Sequence, residues 1–452
     1  MDTEQIRQKA EEYLPSETEL LKQLIAIPSV KGEPEEGAPF GAECRRVLEF
    51  AEKTLKDDGF VVKNVDNYVV TAQMDEREPE LGILAHLDVV PVAGQSWTAD
   101  PFTADVREGR IYGRGSIDDK GPAAAIITCM RIIRDMKIPL KRNFRLIMGS
   151  DEENGSSDLE YYLKREKFPP MLFTPDADWP LVVGEKGNIR YEISGEYAPC
   201  DIVSLTGGSV INAVPERAQA VLTHDIEIEH HYDGVTFTKE QLPDGNYQIT
   251  AVGRGAHAST PQNGVNALTA LLAVLSGNVE DSLLGGVIGA VSMHFPFGEW
   301  DGESAGIKTS DKLSGALTAV LSVADCHDGR YRFFMDSRFP VTARGEDTVK
   351  LLDDDFALIG GRCILCMEPH LVDENSEFVQ QLLAAYEDMT GEKGFCRYIG
   401  GGTYVHETAN GVAFGAEWTT ENNMHGADEF IGIDELRRDT EIYLAAILRL
   451  CC

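Results

Sequence analysis

The sequence predicts a mixed α/β sheet domain with helices on both faces, interrupted by an inserted α+β domain. Three observations predict it. Over residues 1–184, short apolar runs alternate with helical patterns, as strands and helices do when they pack in layers. Over 185–380, alternating apolar and polar runs are separated by turn residues, which suits an antiparallel sheet. Helical spacing then returns from 381. The 452-residue chain is also too long for one hydrophobic core. The simplest organisation is one domain built from 1–184 and 381–452 around a second, 185–380, long enough to hold two similar halves.

The elements follow in order. Ser16 and Glu19 form a capping-box pattern ahead of LLKQLIAI, and Pro28 ends that helix. A second amphipathic helix is expected from Gly41 to Asp58. Val61–Val65 and Tyr68–Met74 have strand character, and LGILAHLDVV reads as a buried strand ending at His86. Residues 121–136 have helical apolar spacing. FRLIMG (144–149) and MLF (171–173) are further strands, and LEYYLKRE is a helix behind a Ser157–Glu160 capping box. In the insert, RYEISG, AQAVLTHDIEI, YQITAVG and RYRFFMDSRF are strand-like, while VNALTALLAVLS is helical. HHYDG (230–234) is a loop, and IGGGTY (399–404) is a glycine loop.

Composition narrows the function. With 41 basic and 75 acidic side chains, the formal charge is −34. Such a surface repels phosphate backbones, so neither nucleic acid nor an anionic membrane is expected as a partner. No apolar stretch approaches the ~20 residues of a membrane span. The opening MDTEQIRQK has no signal-like apolar region. The nine cysteines show no CxxC spacing, and those in apolar runs, Cys129 and Cys366, read as core thiols in a reducing compartment. A cytoplasmic location is expected, with Cys451 and Cys452 as a frayed tail.

In α/β sheets, ligands bind at the carboxyl ends of strands. His86 and Asp88, Asp151 to Glu153, and Asp176 with Asp178 fall at such ends. Asp118 and Asp119 precede a helix, and His425 follows in NNMHGADE. So many carboxylates on one edge would repel one another unless divalent metal neutralised them. Two histidines and three or four carboxylates suit a pair of zinc ions. One ion would take His86, Asp176 and one oxygen of Asp118; the other would take His425, Glu153 and the second oxygen of Asp118. A shared water completes each. Ions bridged this way lie about 3.5–4 Å apart and lower the water's pKa to about 7. Asp88, two residues past His86, is placed to accept the imidazole's other N–H. Glu152 needs no metal bond and is the candidate general base, then acid.

At these residues the chain resembles the co-catalytic zinc aminoacylase/carboxypeptidase family. The matching pieces are IPSV (27–30), HLDVVP (86–91), Trp97 with DPF (100–102), IYGRGSIDDKGP (111–122), SDEENG (150–155), PDADWP (175–180), GAHASTP (255–261) and MHGADE (424–429). Within the family the bacterial broad-specificity dipeptidase branch, carnosinase-like, is the most similar. The resemblance implies a di-zinc exopeptidase catalytic domain with a lid of doubled, two-half type. It implies metal ligands His86, Asp118, Glu153, Asp176 and His425, a cis Asp118–Asp119 peptide, Asp88 as orienting partner and Glu152 as base. From the lid, His257 is expected to stabilise the oxyanion. Asn212 would donate to substrate or oxyanion, and Arg338 would clamp the substrate carboxylate. The loop Gly401, Gly402 and Thr403 would supply backbone N–H groups. His406 is left without a role. The activity implied is hydrolysis of short unblocked peptides by a monomer carrying two Zn²⁺, with Mn²⁺ or Co²⁺ as substitutes. An N-acyl-amino-acid deacylase with the same centre is the rival, and a non-catalytic metal-stabilised binding protein is a rival of another class.

Overall fold

The computed structural model describes residues 1–228, 230–279 and 282–452. The chain forms two compact units. One comprises Met1–Val183, Leu371–Arg397 and Gly402–Cys452; the other comprises Gly184–His370 and Tyr398–Gly401. The chain returns to the first unit at Leu371, where the sequence reading had 381. The difference is the helix Glu377–Thr390, which packs on the C-terminal helix Ile433–Cys451.

The first unit is built on a nine-stranded mixed sheet. Its order is Val61–Val65, Val69–Gln73, Asn143–Gly149, Pro79–His86, Met171–Thr174, Gly411–Ala413, Leu181–Glu185 and His370–Leu371; Cys396–Ile399 also pairs with Leu181–Glu185. Pro79–His86 runs parallel to Asn143–Gly149 and to Met171–Thr174, and the latter runs parallel to Gly411–Ala413. Four adjacent parallel strands therefore deliver their carboxyl ends to one edge. Register sets His86 opposite Gly149. Their side chains are buried almost throughout, as in a sheet covered on both faces.

Helix Lys120–Asp135 is almost wholly buried, which explains its run of alanines and isoleucines. Two helix starts differ from the sequence expectation. The first helix runs Thr3–Ile25, capped reciprocally by Asp2 and Gln5, with Pro15 and the Ser16–Glu19 pair inside it. The Ser16 hydroxyl turns back to donate to the Tyr13 carbonyl. In Ser157–Leu163 the N-cap is Ser156, and the Ser157 hydroxyl donates to Asp151 Oδ2 rather than capping. The chain end is not frayed: Cys451 is buried, and its carbonyl accepts the N–H groups of Lys141 and Arg142 at 2.8 and 3.1 Å.

Glu17 lies fully buried on the first helix, with Oε1 accepting from the Thr440 hydroxyl at 2.6 Å and Oε2 unpaired. Burial pushes its carboxyl up to about 8. The folded protein therefore holds a proton that the unfolded chain releases near the ordinary Glu value. Stability falls as pH rises from there through the folded value. Glu17→Gln keeps the acceptor and removes the titration. The variant should melt at least about 2 °C higher than the parent at pH 8 and match it at pH 5, read by calorimetry.

The second unit holds an eight-stranded antiparallel sheet in two groups of four. Thr236–Gln241, Tyr247–Val252, Arg217–Leu222 and Ile202–Gly207 form one group. Thr318–His327, Arg330–Phe339, Gly187–Glu196 and Gly361–Met367 form the other. They join through Ile202–Gly207 and Thr318–His327. Helices Ala267–Ser276 and Leu283–His294 and part of Gly345–Phe356 close the core. Cys366 is not a core thiol. It lies on the edge strand Gly361–Met367, whose alternate side chains are exposed.

Candidate metal centre

Two trios of ligand-capable side chains meet at the carboxyl edge of the first unit's sheet. One is His86, Asp118 and Asp176; the other is Asp118, Glu153 and His425. His86 Nε2 lies 2.8 Å from Asp118 Oδ1 and 3.8 Å from Asp176 Oδ2. His425 Nε2 lies 2.8 Å from Asp118 Oδ2 and 3.1 Å from Glu153 Oε1. Asp118 thus turns one oxygen to each trio. The expected cis Asp118–Asp119 peptide is present.

The residues fit a pair of divalent ions. His86 Nε2 is buried without a hydrogen-bond partner, a cost that a metal bond would remove. Its Nδ1 lies 3.1 Å from the Asp88 carbonyl. A carbonyl only accepts, so Nδ1 carries a hydrogen, which leaves Nε2 as the ring atom that would bond a metal. Protonation tells the same story. Burial, then the neighbouring Asp118, pushes Asp176 up to about 8. Burial, then Asp118, also raises Glu153. Burial lowers the His425 imidazole, but hydrogen bonds to Asp118 and Glu153 outweigh it and lift it to about 11. Protons here do the neutralising that cations would do.

Asp88 also reaches the turn that carries Glu152. Its carboxylate accepts the backbone N–H groups of Glu152 and Glu153, both at 3.2 Å, and stands 3.5 Å from His86 Nδ1. It therefore holds the short 3₁₀ turn Glu152–Asn154 against the strand that ends at His86. The base candidate Glu152 lies on that turn, outside both trios. Asp158 supports the same turn: its Oδ2 accepts from Ser150 N, Asp151 N and the Tyr404 hydroxyl at 2.6, 2.9 and 2.5 Å. A Cβ on Gly149 would meet that hydroxyl at 2.1 Å, so glycine is required there.

Sequence reasoning missed several of these supports. Buried Asp119 accepts the His86 N–H at 3.1 Å. Buried Lys120 donates to the carbonyls of Leu24 and Ile27 at 3.0 and 2.8 Å. Asp439 Oδ1 accepts both indole N–H groups of Trp179 and Trp418, at 3.0 and 2.9 Å. Those tryptophans flank a two-residue ladder, Ala177–Asp178 with Ala416–Glu417, so Asp439 fixes the segments after Asp176 and before His425. The signal for Asp119 and Lys120 was the DDK run itself; the long-range partners had none.

The residues expected from the insert gather within the second unit. Ala213 pairs with His257, and the Ala258 N–H donates to the Asn212 carbonyl at 2.9 Å. The Ser259 N–H points to His257 Nδ1 at 3.2 Å; that bond makes Nδ1 an acceptor and sets the hydrogen on Nε2. Arg338 sits opposite Thr318, whose hydroxyl donates to the Ala258 carbonyl at 3.0 Å. Its guanidinium is partly committed, with Nε 2.8 Å from Asp336 Oδ1 and Nη1 3.1 Å from the Gly400 carbonyl. Gly401 belongs to the second unit and Gly402 and Thr403 to the first. The Thr403 hydroxyl accepts from Val405 N at 3.3 Å. His406 lies on the following 3₁₀ turn, Tyr404–Glu407.

Fold and site together define an α/β protein with a candidate metal centre that shares a carboxylate at its strand ends, and with an inserted sheet domain. Residues 82–449 match the model of Peptidase family M20/M25/M40, and the chain belongs to that family. "Putative dipeptidase YtjP" of Bacillus subtilis (strain 168) is 34% identical over 92% of this chain and 92% of its own. "Putative dipeptidase SH1171" of Staphylococcus haemolyticus (strain JCSC1435) is 31% identical over 98% and 99%. Among solved structures, human carnosine dipeptidase 1 shares the fold at 17% identity and a TM-score of 0.63, covering 99% of this chain and 98% of that one. Aminoacylhistidine dipeptidase from Vibrio alginolyticus does so at 14% and 0.57, covering 96% of each.

Proposed function

We propose that this chain is a metal-dependent dipeptidase that hydrolyses the amide bond of short unblocked peptides. The observation that carries it is the pair of trios sharing Asp118, with Glu152 on a braced turn outside both. The dipeptidase names of the relatives support the substrate class. His86, Asp118, Glu153, Asp176 and His425 hold two Zn²⁺, with Mn²⁺ or Co²⁺ as substitutes, and Asp88 braces the turn. When bound, such ions supply Lewis acidity and an acidified water. Glu152 takes a proton from the attacking water and returns it to the leaving amine nitrogen. Arg338 takes the substrate's terminal carboxylate with the N–H groups that Asp336 and Gly400 leave over. His257 offers Nε2–H to the developing oxyanion, and Asn212 and the backbone of Gly401, Gly402 and Thr403 donate to the substrate.

We also propose that the chain acts as a monomer in the cytoplasm. The two four-strand groups of the inserted unit support the first. Nine free cysteines support the second. No helix among the described residues is long and apolar enough to cross a membrane.

The test is Ala–Ala against N-acetyl-Ala–Ala, with metal analysis on the same sample. Preference for the acetylated substrate would make the chain a deacylase. Two bound metals without hydrolysis across a peptide panel would make it a binding protein. Arg338→Lys keeps the charge but loses the fork. It should raise KM for Ala–Ala at least about tenfold and change kcat little, as expected for lost ground-state binding; an unchanged KM would remove Arg338 from the substrate site.

A further inference from the structure

The loop that carries His425 has an unusual backbone. Asn423, His425 and Asp428 all adopt left-handed conformations, with φ of 56°, 60° and 55°, a region that non-glycine residues rarely occupy. Such a loop needs external contacts to keep its shape. Several of those contacts come from the Gln95–Thr98 segment and from Arg114. Gln95 Nε2 and Arg114 Nη2 both donate to the His425 carbonyl, at 2.8 and 3.1 Å. Gln95 Oε1 accepts in turn from Arg114 Nη2 at 2.8 Å and from the Trp97 indole at 3.1 Å. Thr98 donates its N–H and hydroxyl to the two oxygens of Asp428, at 2.9 and 2.5 Å.

The same arginine reaches the other side of the centre. Arg114, 1% exposed, forms an ion pair with fully buried Glu429. The second oxygen of Glu429 accepts the N–H of Ile117 at 3.2 Å, one residue before Asp118. The Trp97 ring lies 5.2 Å from the guanidinium carbon and covers it. One hydrogen-bonded chain, Gln95–Arg114–Glu429, therefore runs from the backbone of His425 to the backbone beside Asp118. These are the two residues 2.8 Å apart in the second trio.

We infer that Gln95 and Arg114, with Glu429, are positioning residues for the metal centre: they clamp the His425 carbonyl and set the imidazole's distance from Asp118. They touch neither substrate nor ion. The inference rests on reading His425 as a ligand. It assigns the Gln95–Thr98 segment a task beyond forming a surface loop. The buried guanidinium serves Glu429, Gln95 and a carbonyl at once, which an apolar side chain could not do.

Gln95 offers the clean test, because it is only half-buried. Gln95→Glu keeps the acceptor for Arg114 and Trp97 but cannot donate to the His425 carbonyl; Gln95→Leu removes both roles. Apo protein is titrated with Zn²⁺ against a chromophoric chelator, and separately with Co²⁺ while the visible absorption is followed. One of two zinc equivalents should weaken about 10–100-fold in both variants, the range for lost support of a ligand. The cobalt band of that equivalent should shift, while the apo proteins melt at the parent temperature. Variants that bind both equivalents with parental affinity and an unchanged cobalt spectrum would overturn the clamp alone. A parent chain that binds fewer than two equivalents would overturn the ligand reading and the clamp with it.

Discussion

Glu152→Ala should cut hydrolysis of Ala–Ala by at least about 10²–10⁴-fold, the usual share of a positioned proton carrier, while two metal equivalents stay bound. The geometry separates the two readouts. Glu152 belongs to neither trio, so its carboxylate can be removed without touching a ligand atom. Its turn is held through backbone N–H groups, those of Glu152 and Glu153 on the Asp88 carboxylate, and alanine keeps those bonds. Glu152→Gln preserves size and polarity but cannot carry the proton, so it should fall as far as alanine. Normal turnover in either variant, with metals in place, would remove Glu152 from the reaction.

Asp118→Ala should have the broadest effect of any single change, because Asp118 alone belongs to both trios. Its two oxygens each stand 2.8 Å from a different imidazole. On the proposed ligand set, losing it would remove one donor from each ion and the carboxylate that the two trios share. Metal content after gel filtration should fall from two equivalents toward none, with activity lost. His425→Ala should retain one equivalent. The melting temperature should follow occupancy, since ions that bind only the folded chain stabilise it by roughly 4 kcal/mol at a thousandfold excess over Kd. A chelator should therefore lower the melting point of the parent and leave that of Asp118→Ala almost unmoved. Two retained equivalents in Asp118→Ala would refute the shared-ligand arrangement.

The trios were legible because parallel strands place chemistry at their ends. His86, Glu153 and Asp176 each follow a buried apolar run, and the runs are short enough to count as strands. Their supports were less legible, for physical reasons. Asp88 lies two residues from His86, which favours a side-chain contact on an extended segment. The carboxylate stands 3.5 Å from the imidazole Nδ1, but the Asp88 carbonyl is nearer, at 3.1 Å, and the carboxylate's two bonds to backbone N–H groups had no signal in the sequence. Tyr404 with Asp158, and Arg114 with Glu429, are separated by 246 and 315 positions, so no local period reveals them. The Ser16–Glu19 motif misled because a capping pattern is only an offer. Asp2 with Gln5 makes the same offer earlier, and the helix runs through Pro15. Cys366 misled because an apolar run is buried on both faces only away from a sheet edge.

The two indoles latched to Asp439 have a further, optical consequence. Their ring centres lie 5.7 Å apart at an angle of 43°, so their excited states mix. Such a pair gives an exciton couplet in far-ultraviolet circular dichroism, whose amplitude depends on mutual orientation. Trp179 stands three positions after Asp176, and Trp418 stands seven before His425. The chain thus carries a built-in chromophore at the segments that bear both trios, and a change in its dichroism on adding metal is the expected, label-free sign of loading.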